Sequence, residues 1–500
     1  MFLAQVDPSA FTPPQVELSG IAPEATLACV AIVLLVIDAL VGRRFNDWHL
    51  PGIASAGFIA SIVFALAAWG DADLQFSGMI AADNFAVFAK VTLGIFGFLT
   101  VWLSREYLVR EGIEESEYYA LAMFAVAGMM LMVGASDLMV MFIALETFSL
   151  ALYVMVGFRR RSLASQESAM KYFLLGAFSS AFFLLGIALA YGAAGTTNFY
   201  SVGPADPSLL SFITSTSPEN VGLLVVATGL LIVGLGFKVA AVPFHMWTPD
   251  AYQGAPSPVT GFMAASSKLA GFAALVRVLD VTLFGLRTDW KPMVIAIAIG
   301  TMIVGSVLAV VQEDVKRMLA YSSIAHAGFV LTAVVATSSE GISGALFYLA
   351  TYGMTVLGGF AVVAVISGAD EKRVRLVDLK GLFFERPALT AAFTLFMLSL
   401  AGVPLTSGFI GKVVVFGAAI EAGYTWLVVI GVLASAVAAF FYLRVLVVMY
   451  MQESDTPAPE RRGGVLAFGV VAVAVIATIV LGLYWTPLTD LASKATLITG

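Results

Sequence analysis

Long apolar runs, separated by short polar or basic intervals, recur along the whole chain. Fourteen of them reach the roughly 20 residues that a helix needs to cross about 30 Å of hydrocarbon. They fall at about 21–41, 51–69, 79–103, 117–135, 138–157, 168–193, 220–241, 258–284, 292–311, 318–337, 342–367, 388–420, 424–450 and 464–485. The seventh continues past a break into 243–257, and the twelfth is long and interrupted. Thr478 and Gly482 dilute the last one only slightly. A run such as IVLLVI or VVAVAVIATIV also suits a buried helix of a large soluble core. The number of such runs decides for an all-α, polytopic membrane fold with about 14 transmembrane helices. No convincing strand is read from the pattern, and so no glycine-rich nucleotide fingerprint of the strand-to-helix kind.

Composition removes the soluble alternative. A chain of 500 residues would ordinarily suggest about three soluble domains. Here 60% of residues are hydrophobic and 12% charged, with a mean hydropathy of +0.96. A soluble surface needs about 25% charged residues, and the same numbers exclude intrinsic disorder. A formal net charge of −7 and the lack of a basic stripe argue against nucleic acid as a partner. The single cysteine, Cys29, rules out a disulfide framework, a thiolate zinc site and an iron–sulfur cluster in this chain. The three histidines, His49, His245 and His326, are too scattered for a bis-histidine haem. Residues 1–19 lack a basic leader and carry Pro8, Pro13 and Pro14, so no secretory signal is expected there.

Lysine and arginine gather in alternate intervals. Arg43 and Arg44 follow span 1, Arg105 and Arg110 follow span 3, and Arg159, Arg160 and Arg161 follow span 5. Lys316 and Arg317 follow span 9, Lys372, Arg373, Arg375, Lys380 and Arg386 follow span 11, and Arg461 and Arg462 follow span 13. These are sixteen, against Arg287, Lys291 and Lys494 on the side that holds the termini. The positive-inside rule then sets the basic loops in the cytoplasm and both termini outside.

Seven basic residues remain within the spans: Lys90, Lys171, Lys238, Lys268, Arg277, Lys412 and Arg444. Acids in or near spans are Asp38, Asp83, Glu146, Glu167 and Asp280. An ionisable group at membrane depth is costly and marks function by default. Lys171, Glu167, Asp38 and Arg444 lie near span ends, where snorkelling or local pairing accounts for them. Arg277 and Asp280, three apart, fit a pair on one helix face. Lys90 stays ambiguous. Glu146, Lys238, Lys268 and Lys412 lie deeper, and His326 joins them beside Ser322 and Ser323. Static pairing is the plainer reading of these five; a proton path is the functional one.

Two of the lysines sit beside broken helices. Pro243 follows Lys238 by five residues and opens a stretch with Pro249, Pro256 and Pro258. Proline removes a backbone donor and clashes with the preceding turn. Span 12 repeats the theme with Gly402, Pro404, Gly408 and Gly411 just before Lys412. Broken backbone at membrane depth survives only inside protein or against a water-filled cavity. The breaks are five spans apart, so spans 4–8 and 9–13 read as two five-helix repeats of inverted topology. The expected domains are 1–116 (helices 1–3), 117–284 (repeat one), 285–450 (repeat two) and 451–500 (helix 14 and tail). Asp250, within the broken segment, reads as a cap or loop acid. A carboxylate beside a buried amine holds its proton on, and withdrawal of the carboxylate releases it. Glu146 approaching Lys238 would act in this way.

At these residues the chain resembles the antiporter-like membrane subunits of respiratory complex I, the proton-pumping NADH:quinone oxidoreductase. The most specific stretch is GFKVAAVPFHMWTPDAYQGAPSPVTGFMAASSK, 236–268, supported by DVKRMLAYSSIAHAG and PLTSGFIGK. The resemblance covers nearly the whole chain. It implies fourteen helices, inverted repeats and breaks in helices 7 and 12. It implies that Glu146 and Lys238 form the span 5–span 7 pair, that Lys268 is the central bridge, that His326 lies on the polar axis and that Lys412 is the terminal lysine. Lys412 sets the chain nearest the N branch, because the M and L branches carry glutamate there. The chain also ends soon after span 14, without the long lateral helix of the L branch. The resemblance further implies the bacterial inner membrane, with periplasmic termini. It leaves this chain without cofactors, with FMN, iron–sulfur clusters and the quinone site in partner subunits. Neighbouring antiporter-like subunits, membrane lipids and protons are the implied partners. An Mrp-like sodium/proton antiporter subunit and a structural membrane scaffold remain the competing readings.

Overall fold

A computed structural model describes residues 18–41, 48–113, 115–201, 206–215, 221–368, 371, 374–453 and 464–498. Pro8, Pro13, Pro14, Arg43, Arg44, Lys372, Arg373, Arg461 and Arg462 lie outside the described residues. Within them, twelve helices are long and apolar enough to cross a membrane. The other two expected spans are each split. Span 7 is Gly222–Lys238 followed by a short helix, Trp247–Gly254, and span 12 is Pro387–Ala401 followed by Ser407–Glu421. The chain is a multi-pass, predominantly helical membrane protein.

Burial sorts the spans into a core and a rim. Span 8 (Ser257–Thr282) is buried throughout its most apolar window, and spans 10 (Val315–Ala336) and 11 (Ser339–Ile366) over 94% of theirs. Span 1 (Leu18–Val41) is buried over 22% and span 14 (Val465–Leu483) over 33%. An evenly apolar helix on the rim faces lipid, so hydropathy does not separate the two groups; packing does. Small residues bring the core helices close, because helix association in lipid relies on contact rather than on the hydrophobic effect. At Gly305, on span 9 (Phe284–Val310), any Cβ would stand 2.4 Å from the Ala325 backbone nitrogen of span 10.

Several boundaries differ from the sequence reading. The apolar run expected to open span 3 at 79 is half a hairpin. Strand Asp73–Gln75 pairs antiparallel with Ile80–Ala82, so the chain does contain a small sheet. Span 3 starts only at Asn84, where the Asp83 carboxylate caps it by accepting from Ala86 N at 2.8 Å. It then runs to Glu111, so Arg105 and Arg110 are helical and not loop residues. Lys316 and Arg317 likewise belong to the first turn of span 10, and Arg287 and Lys291 to the first turns of the helix Arg287–Val310. Two short helices, Leu209–Ser215 and Thr486–Lys494, were not expected.

Ion pairs gather at the two ends of the bundle. Arg277 does not pair with Asp280. Its guanidinium instead grips Asp83 with two 2.9 Å hydrogen bonds, both side chains being 2% exposed or less. Arg277 also donates to Val133 O at 3.2 Å, and Ile498 N donates to Asp83 at 3.2 Å. This cluster ties the start of span 3, the end of span 8 and the C-terminal tail together. Removing one member of a buried pair strands the other charge, at a cost of about 3–5 kcal/mol. Arg277→Met is therefore expected to lower the thermal midpoint sharply in mild detergent. Adding Asp83→Leu should return most of the loss. A single variant as stable as the parent would refute the clamp.

Candidate functional site

The two breaks place the buried lysines. Span 7 loses its helix after Lys238, and Pro243 lies in the unwound stretch. The carbonyl of Phe237, which takes Ala240 N at 3.1 Å, also accepts from Trp247 Nε1 at 2.9 Å, and Val242 N donates to Thr301 Oγ1 at 2.9 Å. In span 12 the helix stops at Ala401, and Pro404 lies in the gap before Ser407. Here the lysine itself satisfies the end. Lys412 Nζ donates to Leu400 O at 3.1 Å and Ala401 O at 2.8 Å. Gly402, at φ +86°, allows this approach, since a Cβ there would lie 2.9 Å from Lys412 Nζ. Each break also holds a non-glycine residue at positive φ, Ala240 at +61° and Leu405 at +71°. The lysine precedes one break and follows the other, so the two sites are not residue-by-residue copies.

Each of the five deep groups has its own neutral partners. Lys238, 2% exposed, donates to Ser149 Oγ at 2.7 Å. Four rings surround its ammonium, Phe148, Phe237, Tyr153 and Tyr172, with centroids 5.3–5.9 Å away. Glu146 accepts from Ser180 Oγ and forms no ion pair with Lys238. The expected Glu146–Lys238 pair is thus brought to one region of span 5, through Glu146 and Ser149, without direct contact. Lys268, on the all-buried span 8, donates to the backbone carbonyl of Ser323. His326 meets two phenols, Tyr348 OH at Nδ1 (2.5 Å) and Tyr442 OH at Nε2 (3.1 Å). Tyr442 OH in turn meets Ser322 Oγ. Lys412 donates to Ser435 Oγ at 2.7 Å besides its two carbonyls.

The partners Ser149, Ser180, Tyr348, Tyr442 and Ser435 were not read from the sequence. Ser149 carried a faint signal, three residues after Glu146 on the same helix face. Several hydroxyls near the row, on Tyr153, Ser266, Ser323 and Tyr352, are buried with no protein partner. A hydroxyl both donates and accepts. Amines, imidazole and hydroxyls can each take up and give up a proton.

The other basic residues within the spans have partners near the span ends or in neighbouring segments. Lys90 pairs with Glu24 at 2.7 Å and donates to Gly20 O at 2.8 Å. Lys171 pairs with Glu167 at 2.7 Å and with Asp250 at 3.1 Å, and Asp250 also holds Arg317 at 2.5 Å. Arg444 donates to Val310 O at 3.1 Å. Asp38 accepts from Ser116 Oγ at 2.7 Å. Asp280 keeps both carboxyl oxygens buried without a partner.

One buried pair at the start of span 10 and in the loop after span 11 bears on the break in span 7. Glu371, in the loop after span 11, binds the fully buried Lys316 at 2.7 Å and accepts from Ser257 N at 2.7 Å. Lys316 also donates to Ala255 O at 2.5 Å, and Arg159 approaches Glu371 at 3.5 Å. The pair therefore staples the junction of spans 7 and 8. Burial works to raise the Glu371 carboxyl, but the Lys316 ammonium and the Ser257 amide hold it below the ordinary glutamate range. A lowered carboxyl contributes stability that is full above its unfolded value and is lost as pH falls through the folded one. Glu371→Gln is expected to cost about 3–5 kcal/mol at neutral pH. It should also flatten the acid limb of a stability-against-pH curve. An unchanged acid limb would remove Glu371 from this role.

Residues 135–438 match the family described as NADH:quinone oxidoreductase/Mrp antiporter, TM. NADH-quinone oxidoreductase subunit N of a Parafrankia species is 43% identical over 520 aligned positions, covering 99% of this chain and 97% of its own. That of Trichlorobacter lovleyi is 42% identical, covering 88% of this chain and 89% of its own. A chain of respiratory complex I from Thermus thermophilus with bound aureothin is 34% identical at a TM-score of 0.79, over 95% of this chain and 100% of that one. The Mrp complex from a Dietzia species, at 20% identity and a TM-score of 0.82 over 95% and 96%, shares the fold. The chain belongs to the NADH:quinone oxidoreductase/Mrp antiporter family of membrane subunits.

Proposed function

We propose that this chain is a non-redox, proton-translocating subunit in the membrane arm of an NADH:quinone oxidoreductase, of the N branch. Electron transfer from NADH to quinone would occur in partner subunits, where FMN and the iron–sulfur clusters belong. The observation that carries the reading is a contrast among buried cations. Lys90, Arg277 and Lys316 each hold a carboxylate at 2.7–2.9 Å. Lys238, Lys268 and Lys412 hold hydroxyls and carbonyls, and no carboxylate pairs with them among the described residues. Static charges that only specify packing would be neutralised like the first set. The second set is arranged to load and unload protons.

In this reading protons move along Glu146, Lys238, Lys268, His326 and Lys412, with the serine and tyrosine hydroxyls and water between them. Adjacent helix axes stand about 8–10 Å apart, so side chains alone do not bridge every gap. Spans 4–8 and 9–13 act as two inverted repeats, with residues 1–116 and 451–500 flanking them. The break near Pro243, the break near Pro404, and a positive-φ residue in each support that division. The sixteen basic residues in those loops and at the adjoining helix ends support a cytoplasmic placement of those loops, periplasmic termini and the bacterial inner membrane.

The test is a mild-detergent pull-down of the tagged chain. A large assembly that oxidises NADH and reduces quinone is expected. Recovery with small membrane partners only, no such activity, and sodium-dependent proton exchange would overturn it in favour of an antiporter subunit.

A further inference from the structure

Away from the polar row, a cavity of about 750 Å³ opens between the loop after span 11, the end of span 9 and the last turns of span 13 (Thr425–Met451). One wall is apolar. Phe440, Leu443 and Val447 follow each other at three and four residues on one helix face, and are 59%, 48% and 43% exposed. Above them stand three cations, Arg375, Lys380 and Arg444. Arg375 is neutralised by Glu313 at 2.5 Å. Arg444 spends one nitrogen on two neutral carbonyls, Val310 O at 3.1 Å and Gln312 O at 3.4 Å. The nearby Asp378 is turned to the Arg375 amide at 2.9 Å. No carboxylate among the described residues pairs with Lys380 or Arg444. Among the described residues, the cavity thus sets two cations without carboxylate partners beside a stripe of exposed apolar side chains.

We propose that this cavity is a binding site for an anionic phospholipid. The phosphate sits between Lys380 and Arg444, and the acyl chains lie along Phe440, Leu443 and Val447. A lysine and a guanidinium are the usual phosphate partners. Basic pockets beside transmembrane helices at the loop level take such headgroups. A helix of a neighbouring subunit would fit the stripe but would have to bring carboxylates of its own for the two cations. A phospholipid matches both halves at once. The inference is independent of the proton path.

The experiment is native mass spectrometry of the full chain in detergent, titrated with phosphatidylglycerol and with phosphatidylcholine of equal chain length. The first phosphatidylglycerol should bind about tenfold more tightly than phosphatidylcholine. Lys380→Glu should erase that preference, Lys380→Arg should keep it, and Leu443→Trp should weaken both lipids by filling the groove. Equal affinities in the parent, an unchanged preference in Lys380→Glu, or unchanged binding in Leu443→Trp would each overturn the site. Displacement of the lipid by millimolar inorganic phosphate would turn it into a free-anion site. In the intact assembly, a photocrosslinker at Val447 should label lipid; labelling of a protein neighbour would make the groove a subunit interface.

Discussion

Lys238→Met lowers NADH-driven proton pumping by at least about tenfold while the assembly still forms. The expectation rests on what the amine does in the structure. It is buried, donates to Ser149 Oγ at 2.7 Å and lies among four aromatic rings. Methionine keeps the length and the apolar stem, so packing survives. It strands no carboxylate, because Lys238 has no ion-pair partner among the described residues. Stability should therefore move far less than in Arg277→Met, where a carboxylate is left alone. Loss of a positioned proton carrier costs about 10²–10⁴ in rate where the proton step limits. Lys238→Arg sharpens the test. A guanidinium keeps the charge and the donor but does not give up its proton. If Lys238 only balances charge, arginine restores pumping; if it carries protons, arginine does not. Normal proton yield per electron in assembled Lys238→Met would remove Lys238 from the path. Glu146→Ala is expected to follow the same pattern in weaker form, since Glu146 acts on Lys238 through its charge and not through a hydrogen bond.

The sequence shows best what one helix does alone. Pro243, Gly402 and Pro404 announce the breaks by their own backbone chemistry, and Lys238 and Lys412 beside them stand out in apolar runs. Partners drawn from another span leave no such mark. Tyr348 and Tyr442 meet at His326 from residues 22 and 116 positions away. Neither tyrosine looks unusual in an apolar helix. The same limit misdirects Arg277, which has a carboxylate three residues off in Asp280 yet grips one 194 residues away in Asp83. Local spacing names a candidate; packing of the core spans chooses between candidates. The hairpin before span 3 fails for another reason. Ile80–Ala82 is apolar and runs into the helix, so hydropathy sees one segment where Asp83, as cap, divides two.

Lys412→Gln is expected to lower quinone-reductase turnover by about tenfold or more, and its comparison with Lys412→Ala separates chemistry from structure. Lys412 does two things. In the proposed path its ammonium ends the row of protonatable groups, and in the structure its three donors tie Leu400 O, Ala401 O and Ser435 Oγ across the break in span 12. Alanine removes both functions. It leaves two carbonyls at membrane depth without partners, each costing about 1–3 kcal/mol, so a loss of turnover in that variant has two explanations. Glutamine is one bond shorter but keeps two N–H donors for the two carbonyls; it loses the charge, the ionisable proton and the third donor, to Ser435 Oγ. A stable Lys412→Gln assembly with depressed turnover therefore assigns the defect to proton chemistry. Full turnover in Lys412→Gln would reduce Lys412 to a strut of the broken helix. Lys412→Glu should be worse than either, because a carboxylate placed against Leu400 O and Ala401 O faces two acceptors and no donor but Ser435. That ordering, glutamine above glutamate in stability and both low in turnover, follows from the carbonyls of this break and from no property of lysine in general.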